Sequence, residues 1–105
     1  MLDIKTIQDL YAAREVVLTA HFMSKIRIRK IKLADVRHII TTGEIIEQYE
    51  DDYPHPSALI TGRTEQSVSL HVVTGIGNGK LWLITAYYPT LDRWQDDFKT
   101  RKAGT

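Results

Sequence analysis

Hydrophobic spacing along this chain changes character at Gly43, from a helical period before it to an alternating one after it. Between Asp3 and about Val17, the positions Ile4, Ile7, Leu10, Tyr11 and Arg14 recur at intervals of three and four. This is the stripe of a helix, and Asp3 stands where a cap is expected. Val16, Val17 and Leu18 are β-branched or bulky and read as an extended link. Thr19 then caps a second helix. Two patterns compete here: Phe22, Ile26 and Arg29 keep one helical face, whereas Ile26-Arg27-Ile28-Arg29 alternates like a half-buried strand. The helical reading is preferred because His21, Lys25 and Arg29 also fall four apart, on an adjacent face. A third helix, Leu33 to about Thr42, buries Leu33, Val36, Ile39 and Ile40. Gly43 stops it in the left-handed conformation that is least costly for glycine.

Beyond Gly43 the spacing predicts strands. Glu44 to Glu50 is the first, with Ile45 or Ile46 and Tyr49 supplying apolar contacts. Pro54 and Pro56 prevent Asp51–Pro56 from continuing it, since proline lacks a donor and constrains its neighbour. Ala58 to Thr64 is the second strand, and Glu65-Gln66-Ser67 turns into the third, Val68 to Thr74. Gly75 to Gly79 is a hairpin connection, with Asn78-Gly79 among the strongest turn dipeptides. Lys80 to Tyr88 is the fourth strand, ended by Pro89. Trp94 and Phe98 lie at helical spacing in the tail, Leu91 to Lys99, which reads as a short helix packing back on the sheet; the final residues are expected to be disordered. The whole is one α+β domain over residues 1–105: N-terminal helices on one face of a four-stranded antiparallel meander, with a short C-terminal helix or tail. The glycines of GIGNG join two strands and so lack the strand-to-helix context of a phosphate loop.

A chain of 105 residues supports one core. It has no apolar run long enough to span a bilayer, its amino terminus lacks a signal-peptide layout, and it contains no cysteine, so a cytoplasmic location is expected. The net charge of +1 hides an asymmetry. Lys25, Arg27, Arg29, Lys30, Lys32 and Arg37 stand against only Asp35, whereas Glu44, Glu47, Glu50, Asp51 and Asp52 stand without a base. Either the surface is polarised toward an anionic partner, or the two blocks pack together and neutralise each other.

The chemistry concentrates on the same helix. An imidazole at His21 can move a proton, and cations at Lys25 and Arg29 can hold a phosphate. His71 lies on the strand face opposite Leu70 and Val72, and two histidines supply the acid and base that metal-independent RNA cleavage needs. Arg63 and Thr64 on the second strand, and Thr85, Tyr87 and Tyr88 on the fourth, add donors. An arginine fork at Arg63 would bind a phosphate in two-pronged fashion. His38 and His55 read as structural. No histidines have a close metal-ligand spacing, so neither a metal nor another cofactor is expected.

The pattern His21-x3-Lys25-x3-Arg29-x-Ile31-x3-Asp35-Val36 resembles the helix motif of a bacterial domain-of-unknown-function family grouped with the RelE/ParE toxins and similar to the BrnT toxins. The likeness continues through Gly43, Pro56, Gly62-Arg63, Leu70-His71-Val72-Val73 and Ile84-Thr85-x-Tyr87-x-Pro89, roughly residues 19 to 89. It implies a RelE-like fold and a toxin of a type II toxin–antitoxin pair. The implied activity is a metal-independent endoribonuclease acting on RNA, on or off the ribosome, with a cognate antitoxin as partner. Carried over by position, His21, His71 and Tyr87 form the catalytic set, and Lys25, Arg29 and Arg63 bind phosphate. Lys25 stands where the family has arginine, which removes a planar fork. Two other readings compete. One is a non-catalytic nucleic-acid- or protein-binding domain using the same basic face, with self-association as a further option. The other is an interaction module whose sheet edge or tail pairs with a partner, leaving Trp94 and Phe98 exposed until bound.

Overall fold

The structure, a computed structural model, describes residues 1–103. Side-chain caps start two of its helices. Asp3 accepts from the Lys5 amide at 3.0 Å to begin α1 (Ile4–Ala12), and Thr19 accepts from the Phe22 amide at 3.0 Å to begin α2 (Ala20–Ile28). Both helices end on a non-glycine residue in the left-handed region, Arg14 (φ 61°) and Lys30 (φ 58°). The next amides, Glu15 and Ile31, reach back to the Leu10 and Ile26 carbonyls at 3.0 and 2.8 Å, which closes the helix end. Arg14 therefore terminates α1 instead of extending it, and the helix falls short of Val17. Burial of Phe22 and Ile26 on one face decides α2 in favour of helix over strand. The third helix, α3 (Leu33–Thr42), has the predicted bounds, but Leu33 is 42% exposed and the buried stripe is Val36, Ile39 and Ile40.

Gly43 follows α3 in an extended conformation (φ −83°, ψ −175°), not the expected left-handed one. What demands glycine is space: a Cβ there would lie 2.5 Å from both the Ile39 and Thr61 carbonyl oxygens.

The sheet has five strands in the order β1-β5-β4-β3-β2: β1 (Val16–Leu18), β2 (Glu44–Tyr49), β3 (Ser57–Arg63), β4 (Ser69–Gly77) and β5 (Lys80–Tyr87). Strands β2 to β5 form the expected antiparallel meander. The correction is β1, which pairs parallel with β5 through Val16↔Leu81, Val17↔Trp82 and Leu18↔Leu83, so the sheet is mixed. Strand β4 also runs on through Gly77, and only Asn78 and Gly79, both at positive φ (54° and 71°), make the hairpin turn.

The three helices cover one face of the sheet, where Phe22, Ile39, Ile40, Ile60, Leu70 and Leu83 form the main core. The opposite face carries Leu59 and Val73, packed by Trp94 from the C-terminal tail. That tail has no helix. It folds into turns joined by a bridge between Trp94 and Arg101, and Trp94 is only 2% exposed. The expectation of disordered final residues fails at Arg101, which is pinned by an ion pair; residues 104–105 lie outside the described residues. No helix among the described residues is long and apolar enough to cross a membrane.

Candidate functional site

Thr61, His71 and Tyr87 are register neighbours across β3, β4 and β5, on the face away from the helices. His71 is fully buried. Its Nε2 lies 2.7 Å from the Phe98 carbonyl oxygen and its Nδ1 3.3 Å from the Tyr87 hydroxyl. A carbonyl can only accept, so Nε2 carries the proton and Nδ1 accepts from Tyr87. Both rings around it meet the imidazole edge-on, Tyr87 at 5.3 Å and Trp94 at 4.6 Å between centroids. Burial pulls the His71 pKa below the ordinary histidine range, against the opposing bond to Phe98. Burial also raises Tyr87. The pair is a neutral imidazole held by a neutral phenol.

The tail covers this pair. Beyond Nε2 of His71, the Phe98 carbonyl also accepts from Thr61 Oγ1 at 3.4 Å. Arg101 stacks 4.6 Å over the Trp94 ring and donates through Nε and Nη2 to the Glu47 carboxylate at 2.7 and 3.1 Å. Lys99 pairs with Glu44 at 2.7 Å. Burial alone would raise Glu47, but the bonds from Arg101 and Tyr49 outweigh it and leave the carboxyl low. The tail's backbone bonds are its own: Gln95 to Thr100 at 2.8 Å, Phe98 to Gln95 at 2.9 Å and Lys102 to Arg93 at 2.9 Å. The cover is thus a self-bonded unit attached to the sheet through side chains and one carbonyl.

The row on α2 lies elsewhere. Arg29 donates to Thr85 Oγ1 at 3.1 Å and to the Ala86 carbonyl at 2.8 Å. Because β1 pairs no further than Leu83, Arg29 occupies the stretch of β5 edge that β1 leaves open. Lys25 is half-buried and His21 exposed. His21 lines a cavity of about 400 Å³ together with Tyr53, His55, Trp82 and Ile84. Ile84 and Tyr87 are three positions apart on one strand, about 10 Å. The structure therefore joins His71 with Tyr87, sets Arg29 on the adjoining edge, and leaves His21 at a separate place, with no bond between the two histidines among the described residues. Arg63, paired in register with Ser69, shares the face of His71 but spends Nη1 on the Ser67 carbonyl at 3.3 Å. Thr64 is buried and its hydroxyl accepts from the Val68 amide at 3.2 Å.

The two charge blocks do not neutralise each other. Glu44, Glu47 and Glu50 pair with Lys99, Arg101 and the amino terminus. Lys25, Arg27, Lys30, Lys32 and Arg37 make no ion pair among the described residues. Sequence reasoning missed Glu47, Arg101 and the Phe98 carbonyl, because no local pattern marks a contact between a strand and a distant tail. The Trp94–Phe98 spacing signalled packing but gave the wrong local structure.

A family model for a domain of unknown function, DUF4258, matches residues 18–88. That span runs from the end of β1 through β5 and includes α2, His71 and Tyr87, while α1 and the covering tail lie outside it. No curated protein matches the chain, and no solved structure does.

Proposed function

The chain belongs to the DUF4258 family, and from its motif resemblance to RelE-like toxins together with the His71–Tyr87 site we propose that it is an RNA-directed toxin of a type II toxin–antitoxin pair, with a RelE-like fold and metal-independent endoribonuclease chemistry. The observation that carries the reading is the His71–Tyr87 pair at the centre of the sheet face away from the helices, within the family span and beneath a cover from outside it. When the tail lifts, Nε2 of His71 loses the Phe98 carbonyl. Once exposed, the ring exchanges its Nε2 proton with water and is reprotonated on Nδ1, which then donates to the Tyr87 oxygen, and the freed Nε2 accepts the 2′-hydroxyl proton. The 2′-oxygen attacks phosphorus, and the departing 5′-oxygen takes a proton from water. Arg29 beside Tyr87 and Arg63 on the same face stabilise the charge on the phosphorane. The unpaired cations of α2 hold the RNA backbone. A cytoplasmic site of action and a cognate antitoxin belong to this reading.

A second reading, RNA binding without cleavage, is favoured by the complete burial of His71 and the bonds on both its ring nitrogens. Inducible expression in a bacterium separates them, with wild type beside His71→Gln and Tyr87→Phe and with folding checked by thermal melts. Growth arrest and RNA loss in wild type, absent from folded variants, is the expected result. A folded wild type that is harmless overturns the toxin. Binding that survives in His71→Gln but weakens steeply with salt then leaves the second reading.

A further inference from the structure

The cavity at the start of α2 takes no part in the chemistry assigned to His71, yet the rings of Tyr53, His55 and Trp82 line it beside the basic helix. Its volume of about 400 Å³ lies toward the small end of ligand sites, about 300–1,000 Å³. Two rings form one wall, His55 and Trp82, with centroids 5.3 Å apart and planes tilted by 40°. Both are fixed before any ligand arrives. The Trp82 indole N–H donates to the Gly77 carbonyl at 2.9 Å, so the indole has no donor left and offers only its π surface. A Cβ on Gly77 would lie 2.1 Å from His55 Nδ1, so the absence of a side chain there is what lets the imidazole lie against the strand. Tyr53, which also lines the recess and is 91% exposed, provides a third ring at the rim.

The polar groups are few and placed. The Asp52 carboxylate is held by Ser57 Oγ at 2.7 Å and by the Tyr53 amide at 3.1 Å, which fixes an acceptor at the rim. The same negative charge disfavours a phosphate inside the recess. The His21 side chain makes no hydrogen bond among the described residues. One helical turn on stands Lys25, which has no ion pair among them. Aromatic walls within, an anion-repelling rim and cations one turn away match one ligand: a planar base inside, with its sugar–phosphate chain outside along α2.

We infer that this recess, built by His55, Trp82, Tyr53 and His21, receives one unstacked nucleobase of single-stranded RNA. The inference rests on the RNA-directed reading above. It adds a positioning subsite that would bring the strand along the α2 cations toward the sheet face that carries His71.

Tryptophan fluorescence tests it on the full chain. Trp94, the tail's own tryptophan, is 2% exposed against the sheet, whereas Trp82 is half-buried in the recess and reports ligand directly. Adenosine and a single-stranded adenylate hexamer should each quench the emission saturably. The dissociation constant should rise about tenfold in Tyr53→Ala, the scale of one lost base stack. The quenching should vanish in Trp82→Phe. Tyr53 is almost fully exposed, so its variant should melt like wild type. Absence of saturable quenching by the hexamer overturns the site, as does wild-type affinity in both Tyr53→Ala and His55→Ala. Growth arrest with RNA loss but no nucleoside binding removes the subsite and keeps the toxin. Nucleoside binding in a protein that neither arrests growth nor cleaves RNA keeps the subsite and removes the nuclease.

Discussion

The two faces of the sheet are made by the same strands, yet they are built on different principles. On the helix side, Ile39, Ile40, Ile60, Leu70 and Leu83 interlock with almost no polar atom among them. On the tail side, His71 and Thr61 are buried as well and Tyr87 is half-buried, but they are held there through specific hydrogen bonds and a clip of ion pairs. Burial of aliphatic surface is non-directional and bound up with the global fold. Burial of a polar cluster depends on partners, and the partners of this one sit on a segment bonded mainly to itself. One face is held by non-directional packing; the other is a polar cluster held by specific partners.

The largest test of this contrast compares one residue from each face. Ile39→Ala, within the interlocked face, should lower unfolding free energy by about 2–5 kcal/mol in urea denaturation. Trp94→Ala should cost less than the roughly 3–5 kcal/mol usual for a buried tryptophan, because the tail's backbone bonds are internal and its release leaves the sheet's ladder intact. Hydrogen exchange should then accelerate in residues 91–102 and leave Leu70 and Val72 protected. Equal costs and uniform exchange would mean that both faces belong to one cooperative unit.

A smaller effect concerns the clip. Glu47→Gln should change global stability by less than about 1 kcal/mol, since Arg101 is partly exposed and its pair is screened by solvent. It should nonetheless raise Trp94 accessibility to a fluorescence quencher. Unchanged accessibility would take the clip out of the account.

Smallest is the pH dependence. The folded-state pKa of His71 is below its ordinary value of 6.5, so as pH falls the unfolded chain takes up the proton first. Stability contributed by the neutral ring is intact above that value and declines as pH drops through it toward the folded pKa. Melting temperatures measured between pH 8 and 5.5 should fall more steeply in wild type than in His71→Gln. A steeper fall in the variant would contradict a neutral buried imidazole.

Where local chemistry decides an element, the sequence was a good guide. Asp3 and Thr19 announce their helices, the α3 stripe holds its bounds, and Asn78-Gly79 marks its turn. The failures share a cause in distant partners. Three residues of β1 are too few to display a period, and only Leu81–Leu83 make them a strand. The glycine requirement at position 43 comes from the Thr61 carbonyl on β3, not from its own dihedral angles. In the candidate site, His71 and Tyr87 were each legible as candidates, but the sequence reading joined His71 to His21 and Arg63, and the direct bond to Tyr87 came from the strand register. That the tail packs back on the sheet was legible from Trp94 and Phe98; the clip that pins it was not, because the contact of Arg101 with Glu47 spans half the chain.

Strand β1 also has a history within each folding event. Its partner β5 is among the last strands of the chain, so their pairing closes a long loop and gains nothing until the meander already exists. Until then the hydrogen-bonding groups of Leu81, Trp82 and Leu83 form a bare hydrophobic edge, the kind that templates intermolecular pairing. Arg29, already seated farther along the same strand, leaves only that short stretch open. Aggregation during refolding should therefore depend on Val16–Leu18, three residues with no part in the candidate site.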